Sequence, residues 1–299
     1  MHELLITNDH LNQRLDKFLS NELKISRASI TKLIKEEQVL VNELPVKASY
    51  TLKINDQVKV LSLPTNEELS LVPVPMDLEI IFNNDDICII NKPSGLVVHP
   101  ASSYTKNTLV NGLLATNIPL SDLNGDFRPG IVHRLDKDTS GAIIIAKHNE
   151  VHEKLKELMQ NHKITRKYIA LVHGTIKYDT GTIDAPIGRS PNNRKKNMVT
   201  EINSKSAITN FKVLKRFKKY TLVECELITG RTHQIRVHME YIGHPIVGDP
   251  VYSKRKDNKR YGQFLHAHFL ELNLAKKEIS VKVDLPDYFN NYLSCLEEL

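Results

Sequence analysis

The sequence has no tryptophan, three cysteines and only 12 glycines in 299 residues. With aromatics at 6 %, the aromatic platforms of a polysaccharide-cleaving cleft are scarce. The cysteines, at 88, 225 and 295, are odd in number and far apart, so neither a disulfide framework nor a cysteine-based zinc site is expected. Cys88 and Cys225 lie in apolar strand-like runs, and the set reads as buried free thiols of a reducing compartment. No apolar stretch approaches the roughly 20 residues of a membrane span, and mean hydropathy is -0.32, so a soluble chain is expected. The first ten residues lack the basic region, apolar region and small-residue cleavage site of a secretory leader, which makes the cytoplasm the expected location. No glycine-rich phosphate loop of either standard spacing occurs, so no nucleotide cofactor is implied. Among His133, His233, His238, His266 and His268, no pair has the i, i+4 spacing with an intervening Glu of zinc hydrolases, and no metal site is expected.

What is present is globular: 40 % hydrophobic and 25 % charged residues, enough chain for one large domain or two unequal ones. Net charge is +6, and its distribution is more informative than its size. Between Arg189 and Lys219 there are ten basic residues, among them Arg194, Lys195 and Lys196, against the single acid Glu201. A second run, Lys254-Arg255-Lys256-Asp257-Asn258-Lys259-Arg260, follows. Such clusters suit a polyanionic partner; the plainer alternative is a solvated lysine-rich surface.

Hydrophobic spacing divides the chain. Leu11, Leu15, Phe18, Leu19 and Leu23 fall on one helical face, which predicts an amphipathic helix over 11–23. A second helix is predicted from Ser26, a candidate N-cap, burying Ile30, Leu33 and Ile34. The period then becomes two at Val39 and Val41, Leu52 and Ile54, and Val58 and Val60, with turns at Asn42-Glu43 and Asn55-Asp56. Residues 1–62 therefore form a compact module. Residues 63–76, with three prolines, read as a linker. Residues 77–299 alternate strand-like runs with few helices, chiefly Val151 to His162 and Thr232 to Tyr241, an α+β pattern with a mixed, mostly antiparallel sheet. No coiled-coil seam is visible and a monomer is expected.

Three segments carry candidate chemistry. His133-Arg134-Leu135-Asp136-Lys137-Asp138-Thr139-Ser140-Gly141 is a charged loop emptying into the apolar strand Ala142 to Ala146, a placement typical of active sites and also of ordinary turns. In an extended segment Asp136 and Asp138 would lie on one side roughly 7 Å apart, a glycosidase-like pair. The flanking Arg134 and Lys137 oppose that reading, because nearby cations hold a carboxylate ionised whereas a glycosidase acid must stay protonated. In Thr229-Gly230-Arg231-Thr232-His233-Gln234-Ile235-Arg236, a strand ends at a Gly turn, Thr232 can cap a helix, and His233 and Arg236 share a face at a ready anion site. Tyr168, on a strand beside Arg166 and Lys167, is either a core residue or a platform for a stacked base.

Taken with Asn91-Lys92-Pro93-Ser94-Gly95-Leu96-Val97-Val98-His99-Pro100, Lys167-Tyr168-Ile169-Ala170-Leu171-Val172-His173-Gly174, Gly243-His244-Pro245-Ile246-Val247-Gly248-Asp249-Pro250 and Leu265-His266-Ala267-His268, the loop around Asp136 and the segment from Gly230 to His238 resemble the RluA-type pseudouridine synthases. The likeness spans most of 77–268. It implies a pseudouridine synthase fold and an RNA-acting isomerase without a cofactor: the N1–C1′ bond of uridine breaks, the uracil turns, and C5 joins C1′. The resemblance also implies Asp136 as the essential carboxylate, as nucleophile or base, Tyr168 as the stacking residue and Arg236 as the partner that keeps Asp136 anionic. Arg134 is implied to fill the gap left in the RNA, with His133 and Arg231 beside it on the RNA side.

The N-terminal module resembles the S4 RNA-binding motif through Arg14-Leu15-Asp16-Lys17-Phe18-Leu19, Ser26-Arg27, Val39-Leu40-Val41-Asn42 and Asn55-Asp56. Glu37, Glu43 and Asn55 stand where that motif commonly has Gly, and Arg14, Arg27 and Lys32 are the expected phosphate contacts. An S4-like module ahead of such a catalytic domain implies ribosomal RNA of the large subunit, in a ribosome precursor; transfer RNA is the alternative substrate. A non-catalytic RNA-binding or ribosome-assembly factor is the rival class, and it has no use for an acid in its RNA-facing cleft.

Overall fold

A computed structural model of the chain describes all residues except 1, 24, 26, 64–70, 101–106, 126–127, 194–195 and 256–258, and the backbone alone of residues 28 and 259. The candidate cap Ser26, the candidate RNA contacts Arg194 and Lys195, and half of the predicted linker lie outside the described residues. The chain divides into two compact units, Met1–Ser70 and Leu71–Leu299. No described helix is long and apolar enough to cross a membrane.

The first unit contains β1 (His2–Leu5), α1 (Leu15–Glu22), α2 (Arg27–Lys35), β2 (Val39–Val41), β3 (Leu44–Pro45) and β4 (Gln57–Val60). The four strands form an antiparallel sheet in the order β1-β4-β2-β3. Leu15, Phe18 and Leu19 of α1 and Ile30, Leu33 and Ile34 of α2 pack on Val39, Val41, Leu52, Val58 and Val60. The first helix begins four residues later than its apolar spacing predicts. Asn12 has φ 62°, a left-handed conformation that cannot propagate a right-handed helix, and Leu11 is exposed. Leu52 and Ile54 belong to no strand: Leu52 is buried and Ile54 exposed, next to the left-handed Asn55. Glu37, Glu43 and Asn55 all have positive φ, so three side chains occupy conformations that glycine takes freely, at about 1 kcal/mol or more for each Glu.

Asp16 is, with Asp56, one of the two buried acids among the described residues of this unit. Its Oδ1 accepts from Arg14 Nε at 3.0 Å, and its Oδ2 accepts from Arg14 Nη2 at 3.0 Å and Arg27 Nη2 at 2.7 Å. The Arg14 bond, opposed by burial and reinforced by Arg27, lowers the Asp16 carboxyl to about 2. Because the folded value lies below the unfolded one, the stabilisation is complete above about pH 4 and is lost as pH falls towards 2. Urea titrations at pH 2, 3 and 5, read by exchange of the α1 amides, should show this loss in the parent and a smaller one in Asp16→Asn, where Asp56, also lowered, still contributes.

The second unit contains β5 (Glu79–Asn83), β6 (Ile87–Lys92), α3 (Leu109–Leu114), β7 (Ser140–Ala146), α4 (Asn149–Gln160), β8 (Ile164–His173), β9 (Thr180–Asp184), β10 (Ile187–Arg189), β11 (Asn197–Val199), β12 (Ile208–Arg216), β13 (Tyr220–Leu227), α5 (Gln234–Tyr241), β14 (Leu265–Leu274), β15 (Lys277–Lys282) and α6 (Asp287–Ser294). Nine strands form one sheet in the order β5-β6-β7-β14-β8-β13-β12-β9, with β15 also paired to β14. All its pairings are antiparallel except β7 with β14, so the unit is α+β with a mixed, mostly antiparallel sheet. Alternate residues serve opposite cores. Cys88, Ile90, Ile143, Ile145, Tyr168, Ala170 and Val172 face α3 and α5, while Ile87, Ile89, Ile144, Leu270 and Leu272 face Val151 and Leu155 of α4. The segment after residue 70 has no regular structure, yet it is pinned to this unit: Val74 N–H donates to Asn111 O and Asn111 Nδ2 donates to Val72 O. Cys88 and Cys225 are buried; Cys295, at the end of α6, is exposed, against the expectation for the set.

Candidate active site

The loop before β7 carries Asp136, and three neighbours hold it. Lys92, fully buried, donates from Nζ to Pro93 O, Leu96 O and Lys137 O at 2.8–2.9 Å. Gly95 N–H donates to the same Lys137 carbonyl, and Ser94 Oγ to Asp138 O. At its far end Gly141, with φ 108°, lies so close to Ala267 O that a Cβ would overlap that carbonyl, which ties the loop to the β7–β14 pairing. Burial pushes the Lys92 ammonium down to about 7 against the pull of Asp138 and Asp136. The segment is not extended at the two acids. Thr139 N–H bonds Asp136 O across a turn at Lys137-Asp138, so the side-by-side carboxylate pair drawn from strand spacing does not form.

Arg236, in the first turn of α5 and 4 % exposed, bridges two acids. Nη1 donates to Asp136 Oδ2 at 2.8 Å, while Nε and Nη2 donate to Asp249 Oδ2 and Oδ1 at 2.7 and 3.0 Å. Asp249 is completely buried, and its Oδ1 also accepts the backbone N–H groups of Val251 and Tyr252. Burial pulls the Arg236 guanidinium down, and the bonds and charge of Asp249 and Asp136 outweigh it and push it up. The Tyr252 ring centroid lies 5.0 Å from the Arg236 guanidinium carbon, a cation–π contact.

His233 occupies the N-cap position of α5 in the left-handed conformation, φ 60°, without a side-chain cap. Thr232, expected to cap this helix, does not; Gln234 Oε1 accepts from Arg231 N–H instead. The twist at His233 aims its ring inward, with Nε2 3.7 Å from Asp136 Oδ1 and Nδ1 2.9 Å from Tyr252 Oη. Tyr252 Oη also accepts from Asn197 N–H, so the hydroxyl links His233 to the backbone of β11. Burial lowers the His233 imidazole against the opposing pull of Asp136.

These groups open on a cleft of about 470 Å³, lined among others by Asp136, Tyr168, His233, Arg134, Arg231 and Arg166. Asp136 is 15 % exposed at its side chain, and Tyr168, on central strand β8, is 6 % exposed. Burial raises the Tyr168 phenol, so it is neutral at pH 7. The arrangement presents a carboxylate with one oxygen fixed by Arg236, beside an aromatic ring and beneath a rim of guanidinium groups. Such a site can attack or deprotonate a ring clamped on the aromatic face.

The remaining predicted contacts are placed as follows. Arg134 is exposed at the cleft, and Arg231 lines it with Nε bonded to Ser206 O. His133 is committed to the scaffold: Nε2 accepts from Ile144 N–H, and burial followed by the Arg166 charge pushes the ring down to about 3. Lys196 pairs with Glu240 at 2.6 Å. Within the same basic run Lys215, Arg216 and Lys218 pair with Glu298, Asp179 and Glu297, so part of that charge is balanced by acids distant in sequence. In the first unit Arg14 and Arg27 share Asp16, and Lys32 lies 3.8 Å from Glu36. Asp249, Tyr252, Lys92 and Arg166 were not singled out from sequence; the signal available for Asp249 was its position before Pro250, where a carboxylate commonly accepts backbone N–H groups two and three residues on.

Two family models match the chain: RNA pseudouridylate synthase over residues 86–241 and S4 domain over residues 13–58. The uncharacterized RNA pseudouridine synthase YlyB of Bacillus subtilis is 47 % identical over 285 residues, covering 95 % of this chain and 93 % of that protein. Ribosomal large subunit pseudouridine synthase D of Neisseria meningitidis serogroup A is 40 % identical over 297 residues, covering 95 % of this chain and 78 % of that protein. Among solved structures, Human RNA Pseudouridylate Synthase Domain Containing 1 matches with a TM-score of 0.62 at 25 % identity, over 75 % of this chain and 89 % of that one.

Proposed function

Because the chain belongs to the RNA pseudouridylate synthase family, whose members are isomerases converting uridine to pseudouridine in RNA, we propose that it acts on ribosomal RNA of the large subunit, as a monomer in the cytoplasm. Supporting this reading are the S4 domain ahead of the catalytic unit and the 40 % identity to a ribosomal large subunit synthase over almost the whole chain. Pseudouridine mapping across ribosomal and transfer RNA, in cells with and without the gene, tests the substrate. Signals should vanish from large-subunit RNA in the deletion; loss confined to transfer RNA contradicts the proposal.

Within the cleft, the observation that carries the mechanism is the 2.8 Å bond from Arg236 to Asp136 at the edge of an open pocket. A uridine is extruded from the RNA at a cost of a few kcal/mol, and Arg134 fills the space it leaves. Tyr168 stacks on the uracil. Asp136, paired with Arg236, attacks C1′ or removes a sugar proton as the N1–C1′ bond breaks; the base turns, C5 bonds C1′ as the carboxylate is displaced from C1′ or the sugar proton is returned, N1 takes up a proton and C5 loses its own to solvent. The net change is an isomerisation with no electron gained or lost. Base stacking is worth about 1–3 kcal/mol, so Tyr168→Leu should weaken capture of the base by about 5- to 150-fold in kcat/KM, whereas Tyr168→Phe keeps the ring and RNA affinity. Equal steady-state constants for the parent and Tyr168→Leu remove Tyr168 from the site.

A further inference from the structure

Arg166 sits on β8 two residues before Tyr168, so both side chains project from the same face of the strand. It is 8 % exposed, its Nε is sealed from solvent, and no carboxylate or carbonyl among the described residues accepts from its guanidinium. Arg236, by contrast, has two acids, and the half-buried Arg216 pairs with Asp179. Of the described arginines that line the catalytic cleft, Arg134 is exposed and Arg231 donates to Ser206 O, while Arg166 is buried and meets neither an acid nor a carbonyl. Space has been kept for it, since a Cβ on Gly230 would stand 2.8 Å from Nη1. An uncompensated buried cation weakens a fold, so its charge must be answered by something that enters the cleft.

We propose that Arg166 receives a phosphodiester of the RNA beside the uridine stacked on Tyr168, which makes it a substrate-binding residue of the same site. This rests on the reading that the cleft takes an RNA nucleotide. A phosphate supplies the missing negative charge and two oxygens that match the planar guanidinium fork, whereas a uracil carbonyl supplies no charge. The two-residue step separates Arg166 from Tyr168 by roughly 7 Å along β8, outside the footprint of a base on the Tyr168 ring.

The test compares Arg166→Gln and Arg166→Lys with the full-length parent on a large-subunit ribosomal RNA transcript, reading KM, kcat, equilibrium RNA binding against salt, and thermal unfolding. Arg166→Gln should raise KM by about 10- to 100-fold, flatten the slope of log affinity against log salt by about 0.7, and leave Tm unchanged or higher. Arg166→Lys should recover the salt slope and only part of KM. An unaltered salt slope and KM, or a Tm that falls or a chain that fails to fold in Arg166→Gln, overturns the proposal and makes Arg166 structural. The parent's own turnover separates this from the broader reading: no pseudouridine formed by the parent defeats the substrate assignment, while normal turnover in the parent and in Arg166→Gln defeats Arg166 alone. The salt slope, read from binding, reports on Arg166 in either case.

Discussion

Asp136→Asn should abolish pseudouridine formation, with a loss of at least about 1,000-fold, while fold and RNA affinity stay as in the parent. The substitution keeps the size of the side chain and leaves an oxygen to accept from Arg236 Nη1. Arg236 retains its bidentate pair with the buried Asp249, so no charge is stranded. What disappears is the negative charge beside the cleft, and either route through Asp136 requires it. Single-turnover conversion, paired with filter binding of the same RNA, separates the two effects. Substantial turnover by a clean preparation rejects Asp136 as the reacting group.

Arg236→Met should be costly twice over. It leaves Asp249, which has no exposure, with only two backbone donors, and breaking a buried pair in this way costs about 3–5 kcal/mol. It also frees Asp136 from the hydrogen bond by which Arg236 fixes Oδ2, with an expected fall in kcat of about 100- to 1,000-fold. Adding Asp249→Asn distinguishes them. The double variant removes the stranded charge while keeping an acceptor for Val251 and Tyr252, so urea unfolding should recover most of the lost stability and kcat should not recover. Recovery of both would make Arg236 a structural residue only.

Much of this architecture is visible in the order of the residues. Ile87 to Ile90 and Ala142 to Ala146 read as strands because they are covered on both faces, which removes polar alternation and leaves a continuous apolar run. The central strand Leu265–Leu274 does not read so, because His266, His268, Glu271 and Asn273 interrupt it; its burial comes from β7, β8 and β15 packed alongside. The turn at Asn42-Glu43 reads from its residues, but the positive φ of Glu37 and Glu43 is signalled only by the S4 likeness, since glutamate does not itself advertise it. At the site, Asp136, Tyr168 and Arg236 lie in three separated segments, and only their likeness to a known family joined them before the fold did. Asp249 and Tyr252 act by holding Arg236 and His233, a role that follows from distances of about 3 Å between side chains and from no spacing along the chain.

Tritium at C5 of uridine offers the most direct measurement, because joining C5 to C1′ expels the hydrogen there and glycosidic cleavage alone does not. Large-subunit RNA transcribed with C5-tritiated uridine and treated with the parent protein should release one tritium per pseudouridine formed, with no free uracil. Tritium retained in the RNA, or uracil released from it, would contradict the account.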